Sequence, residues 1–272
     1  MDPVLNPDDL APGDRGVAAQ DWSALRVRRV RSPSDPEFAL GFERLWAEFG
    51  AAGAMERRSV IEARLAWDPN QPVGRAHLAY EMLVFRRHGE LVAVRDHTAV
   101  VRLDPEGALV AGPVVVHLSH ALIEPAERGS GLAGWLRALP LATARRCAAA
   151  AGLASVAPVV LVAEMVAHPN GGGPQRSYAR AGFAKVDPAC APYAQPDFRA
   201  PELSPLPYEL VLRRVGRELE RELPAEELAA IVESIYAVYG VHTPAPAIEP
   251  LRRAAAGWAR ARATFPLVSP VA

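Results

Sequence analysis

Cysteine is scarce, charge of either sign is in balance, and long apolar runs are missing. The 272 residues include two cysteines. Cys147 lies in an alanine-rich stretch and Cys190 in a proline-rich one, which excludes a disulfide framework and a cysteine metal cluster. Lys and Arg number 30 against 31 Asp and Glu, so no global field draws the chain to nucleic acid or to an anionic membrane. Half of the residues are apolar, yet no run approaches the ~18 to 20 needed to span a bilayer. The start, MDPVLNPDDLAPGD, has neither the basic end nor the apolar core of a signal peptide. Together these absences predict a cytosolic protein whose partners are selected locally. The wealth of Ala, Arg and Pro is what a GC-rich bacterial genome encodes.

The chain is organised around Ala121 to Leu139. An apolar run, Val114 to Ile123, gives way to Glu124-Pro125-Ala126-Glu127, then Arg128-Gly129-Ser130-Gly131-Leu132-Ala133, then a helical pattern. This reads as a strand, a glycine-rich turn and a helix start. The first N–H groups of a helix lack intrahelical partners and the dipole is positive there, so backbone alone can receive phosphate oxygens. Gly129 and Gly131 leave room for close approach, and Arg128 adds fixed charge. A diphosphate is the expected guest. The Gly-x4-Gly-Lys-Ser/Thr phosphate loop is absent. Gly129 to Gly134 meets Gly-x-Gly-x-x-Gly formally, but no acidic residue ends a second strand about 20 residues on, as a dinucleotide site requires.

Arg128-x-x-Gly131-x-Ala133 after a strand ending Ile-x-Pro resembles the acetyl-CoA diphosphate loop of the GNAT acyltransferase superfamily. A second segment, Ser177-Tyr178-Ala179-Arg180-Ala181-Gly182-Phe183, is similar to that family's Tyr-x-x-x-Gly-Phe stretch, and it follows an apolar strand and Asn170. The resemblance implies an α/β fold with a mixed, mostly antiparallel central sheet flanked by helices. It also implies an acyl-CoA-dependent N-acyltransferase, with acetyl-CoA as cosubstrate, no metal, and a small-molecule primary amine attacking the thioester in a ternary complex. A catalytically silent acyl-CoA sensor on the same fold is the alternative.

Along the chain, residues 1–23 read as a flexible leader, 24–215 as the acyltransferase domain and 216–272 as a helical C-terminal extension. Within the domain the pattern predicts a strand from Leu25, a helix through Phe49, a second from about Glu56 to Trp67, and strands His77–Arg87, Glu90–Leu103 and Val114–Ile123. A helix from Gly131 to about Ala151 is kinked at Pro140, whose ring removes a backbone donor. Strand Val159–Val166, a short helix through Tyr178, and strands Phe183–Val186 and Tyr208–Val215 complete the domain. Pro188 to Pro207 reads as loop. The extension carries an apolar stripe, Leu228, Ile231, Ile235 and Val238, which either pairs two chains into a homodimer or packs on its own domain.

Carried over from the family, backbone at Leu122, Ile123 and Glu124 pairs with pantetheine, and Arg128, Gly129, Ser130, Gly131, Leu132 and Ala133, with Asn170, complete the cosubstrate site. Tyr178 matches the tyrosine beside the sulfur, an acid for the leaving thiolate; a core tyrosine on Phe183 is its other reading. Two residues compete as base. Glu164 sits mid-strand, where burial raises a carboxyl pKa toward useful values, and His117 stands where arylalkylamine acetyltransferases carry a histidine, Ser119 replacing their second. Each can equally be a satisfied buried polar group. Alternation sends His120 to the opposite face from His117. His168 reads as an exposed loop residue. Arg95-Asp96-His97 either read a charged substrate or pair on a solvated face.

Overall fold

The computed structural model describes residues 2–153, 157–167, 172–200 and 204–271. Strand β1 (Leu25–Arg29) leads to helix α1 (Pro36–Phe49) and α2 (Arg58–Arg64), then to the long strands β2 (Ala76–Arg87), β3 (Glu90–Arg102) and β4 (Val114–Ile123). Helices α3 (Leu132–Ala138) and α4 (Pro140–Ala150) follow, then β5 (Val159–Met165), α5 (Gly173–Arg180), β6 (Ala184–Val186), the paired β7 (Ala194–Gln195) and β8 (Leu206–Pro207), and β9 (Glu209–Arg214). The chain continues through β10 (Glu222–Pro224), α6 (Ala225–Gly240), α7 (Ala245–Ala261) and β11 (Thr264–Val268). No helix among the described residues is long and apolar enough to cross a membrane.

Local chemistry explains several boundaries. Asp35 accepts the Glu37 N–H at 3.0 Å and Pro36 opens α1, a capped start with its first donor already absent. Pro140 ends α3 and begins α4, so the expected kink is a break into two helices.

Nine strands form one sheet in the order β1-β2-β3-β4-β5-β9-β6-β11-β10. Among the described residues every pairing is antiparallel except β4 with β5, which runs parallel. That pair is short: Val114 to His117 match Val159 to Val162, and beyond them the two strands part. A bulge lies beside the parting, because Asp96 pairs with His120 and Thr98 with His117. Two residues of β4 thus oppose one of β3, which turns the strand's later side chains over.

One face of the sheet packs on α4, with Val114, Val116 and Leu118 against Leu141, Ala144 and Cys147. The other face meets α1, whose Phe38 and Phe42 cover Tyr80, Met82 and Leu122, and α6, whose Val238 covers Leu78 and Val100. Leu228, Ile231, Ile235 and Tyr239 of α6 pack on Val115, Val160 and Val162. The apolar stripe of the extension is therefore spent within its own chain, and the homodimer read from it has no free stripe to use.

Both ends of the chain differ from expectation. Residues 1–23, read as a flexible leader, form turns at Pro7–Asp9 and Pro12–Ala19. Asp9 holds Arg145 at 2.6 Å and Asp14 holds Arg137 at 2.8 Å, while Leu10 and Ala11 are buried. Acidic residues that suggest solvation in the sequence are bound to arginines of α3 and α4. The extension, read as helical, also contributes two strands. β11 pairs with β6 through Leu267 and Val186 and with β10 through Phe265 and Leu223, so the sheet runs past residue 215 without a seam.

Candidate active site

The glycine turn is built as its residue types require. Gly129 and Gly131 have φ of 85° and 86°, the left-handed region in which a Cβ is strained. Gly131 caps α3 directly. Arg128 and Gly129 are exposed, Ser130 is half-buried, and the Ser130 hydroxyl oxygen lies 3.4 Å from the Leu132 nitrogen. The Arg128 Nε donates to the Ile123 carbonyl at 3.3 Å, folding the side chain back along β4. Glu124 is bound by Arg44 at 2.6 Å. Leu122 packs under α1 and Ile123 against Leu132 and Leu136. Ala133 is half-buried in the first turn of α3. The leader lies over this turn, since a Cβ on Gly131 would stand 3.0 Å from Val17 Cγ2 and 3.3 Å from Gln20 Nε2. Asn170 and His168 lie outside the described residues.

Tyr178 stands on the α4 side of the sheet. Its ring meets Phe183 edge-on at 4.7 Å, and the Arg137 guanidinium carbon sits 5.5 Å from its centre. Arg137 also donates to Ser177 Oγ at 2.9 Å. Tyr178 is thus held by Phe183 and Arg137, away from His117 and Glu164.

Those two residues meet across the opening between β4 and β5. His117 Nε2 lies 2.7 Å from Glu164 Oε2, with side chains 2% and 5% exposed. Tyr193, from the proline-rich loop, donates to Glu164 Oε1 at 2.6 Å, and Tyr239, from α6, donates to Oε2. Burial pushes this carboxyl pKa up, but the His117 hydrogen bond and charge with the two phenols outweigh it, and the net shift is downward. Glu164 is therefore not the buried acid with a raised pKa that its mid-strand position suggested. Its partners keep it ionised, and all its near donors are spent on it. Tyr193 and Tyr239 are driven well above the ordinary phenol value by burial and the Glu164 charge, so both keep their protons.

These protonation states fix the histidine. A carboxylate can only accept, so His117 carries a proton on Nε2 and turns Nδ1 away from Glu164. The Ser119 hydroxyl lies 3.2 Å from that nitrogen. A hydrogen-bonded chain results: Ser119, His117, Glu164, then the two tyrosines.

His120 has the opposite character. Because of the bulge it shares the α1/α6 face with His117, contrary to the alternation expected of a regular strand. Its Nδ1 is 2.9 Å from Asp96 Oδ1 and its Nε2 is 3.1 Å from the Ala54 carbonyl. Both partners accept, so both nitrogens carry protons. Burial lowers this pKa, but the charge and hydrogen bond of Asp96, with Ala54 and Glu56, raise it on balance. Tyr80 also donates to Asp96 at 3.0 Å. His120 is a structural cation with no lone pair to offer as a base.

Arg95, Asp96 and His97 are all buried, so the solvated ion pair is excluded. Nor do they converge on one substrate, because Asp96 serves His120 while His97 Nε2 reaches Thr143 Oγ1 at 2.8 Å on the α4 face. Among the described residues no group of three His, Cys, Asp or Glu is arranged to hold a metal. Tyr193 and Tyr239 are the site residues that sequence reasoning missed. For Tyr239 a signal existed: it is the next member, four residues on, of the stripe that holds Leu228, Ile231 and Ile235.

No family model and no curated protein matches the chain. The solved structures it resembles include three whose own names are those of acyltransferases. An acyl-CoA N-acyltransferase from Pseudomonas aeruginosa shares 22% identity over 70% of this chain and 99% of its own, with a TM-score of 0.34. An acetyltransferase from Streptococcus agalactiae shares 11% over 70% and 98%, with a TM-score of 0.37. An acetyltransferase of the GNAT family from Streptococcus pneumoniae shares 14% over 70% and 99%, with a TM-score of 0.36. At such identities and scores the likeness says nothing of substrate or mechanism.

Proposed function

We propose that the chain is a GNAT-type, acyl-CoA-dependent N-acyltransferase that moves an acetyl group from acetyl-CoA to the primary amine of a small molecule. One observation carries this reading: the parallel pair of the sheet parts after His117, with an ionised Glu164 bound to His117 at the opening and a glycine turn at the end of β4. The N–H groups from Gly129 to Ala133 receive the diphosphate, and backbone at Leu122, Ile123 and Glu124 aligns the pantetheine. The β5-facing edge of β4 past His117 is free for this, since no strand pairs there among the described residues.

In the reaction His117 Nδ1 is the base. The amine nitrogen attacks the thioester carbon, an N–H group near Ile123 steadies the oxyanion, and Glu164 offsets the charge that appears on the imidazole. Tyr178 supplies the proton for the departing thiolate. Val17 and Gln20 shift from Gly131 when the diphosphate enters. Neutral overall charge favours a small acceptor over a strongly basic or acidic macromolecule.

A second reading, an acyl-CoA sensor without turnover, is favoured by the clasp of Phe183 and Arg137 on Tyr178. Calorimetry with acetyl-CoA followed by thiol release across a panel of small amines separates the two. The enzyme reading expects both binding and release, with His117→Gln lowering turnover by about 10²- to 10⁴-fold, the range of a general base. Binding without release from any amine favours the sensor, and absence of binding removes both.

A further inference from the structure

We propose that Ser119 is a catalytic proton relay, the hydroxyl that receives the proton from the acceptor amine and passes its own to His117. The inference rests on the acyltransferase reading. Its support is the direction imposed on every hydrogen bond in the cluster. Glu164 accepts from His117, Tyr193 and Tyr239, which leaves Nδ1 as the imidazole nitrogen facing away from the carboxylate, and Ser119 Oγ is the polar side-chain atom beside it at 3.2 Å.

Accessibility adds a second, independent reason. The His117 side chain is 2% exposed and lies behind Tyr239, whose ring meets it edge-on at 5.4 Å. Ser119 is half-buried and stands two residues past the last β4–β5 pair, where the strands have parted. A substrate amine entering the opening therefore meets the hydroxyl before the ring. The β4 bulge brackets these residues, falling between the paired His117 and His120, so the local irregularity serves to set the serine beside the histidine.

The proton balance is closed. As the amine nitrogen bonds to the acyl carbon, its proton goes to Ser119 Oγ while the Ser119 proton goes to His117 Nδ1, giving an imidazolium paired with Glu164. The carbon–sulfur bond breaks and the thiolate takes a proton from Tyr178. The extra proton on His117 then leaves to water by the same hydroxyl, and Tyr178 recovers one from water. No bond to Ser119 other than O–H is made or broken.

The test uses the full chain and the best amine from the panel. Ser119→Ala is expected to lower kcat by at least about tenfold, toward the general-base range, with KM for acetyl-CoA unchanged. Ser119→Thr, which keeps the hydroxyl, restores most of the rate, a rescue that a merely structural role does not give. Nitrogen NMR of His117 supplies a readout free of activity, and an Nε2–H tautomer is expected. Full kcat in Ser119→Ala with normal acetyl-CoA binding overturns the relay and leaves the acyltransferase reading standing, as does an Nδ1–H tautomer. Failure of the parent chain to bind acetyl-CoA in calorimetry removes the reading and the relay with it.

Discussion

Asp96 and His120 form a buried ion pair whose pH dependence follows from the sign of each shift. His120 lies above its ordinary 6.5, so its contribution to stability is full below that value and is lost as pH rises through the higher folded pKa. Burial raises the Asp96 pKa, but His120, Tyr80 and Arg64 outweigh it and set it below its ordinary 3.8. Its contribution is full above 3.8 and is lost as pH falls through the lower folded value. Thermal stability should therefore decline as pH rises beyond 6.5. His120→Gln is expected to flatten that decline and to cost about 3 to 5 kcal/mol near neutrality, because it leaves Asp96 buried without its cation. Melting curves over a pH series check both effects. A decline of unchanged slope in His120→Gln would assign it to another group.

The turn between β4 and α3 shows what can be read from a sequence at the level of elements. Gly131 has φ of 86°, so Gly131→Ala meets left-handed strain of about 1 to 2 kcal/mol and sets its new methyl 3.0 Å from Val17 Cγ2. The variant should lower the denaturant midpoint and weaken acetyl-CoA binding in calorimetry, whereas Gly152→Ala, also at positive φ but with open space around it, should lower only the midpoint. This turn was legible because its chemistry is local: positive φ selects glycine within a few residues of the strand it ends. An irregularity at Pro140 was legible for the same reason, although it was read as a kink and the chain breaks there into two helices. Tyr193 and Tyr239 were not, standing 29 and 75 residues from the Glu164 they bind. Nor was the bulge, which depends on β3 and leaves no mark in the alternation of β4. Asp9 and Asp14 read as solvated because Arg145 and Arg137 are 136 and 123 residues away.

For the molecule as a whole, the extension is an integral part of the folded body. Leu228, Ile231 and Ile235 of α6 are at most 2% exposed, and burial of each such side chain contributes about 1.5 to 3 kcal/mol. A chain cut after Val215 would bare the apolar face of β5, β6 and β9 and lose Tyr239 from Glu164. We expect it to be insoluble, or to lack the cooperative melting transition of the full chain; sedimentation and circular dichroism report on these. The α6 stripe is already covered within its own chain, so the full chain is expected to sediment as a monomer.

Strand β11, Thr264 to Val268, is inserted between β6 and β10. While the polypeptide is being translated, β6 therefore offers an unprotected edge of N–H and C=O groups until residues 264–268 leave the ribosome. Unprotected edges recruit other strands, and domains complete themselves as synthesis proceeds. The nascent protein thus depends on residues 264–268 to shield a strand made about 80 residues earlier. A premature stop codon just before Thr264 would leave the β6 edge bare.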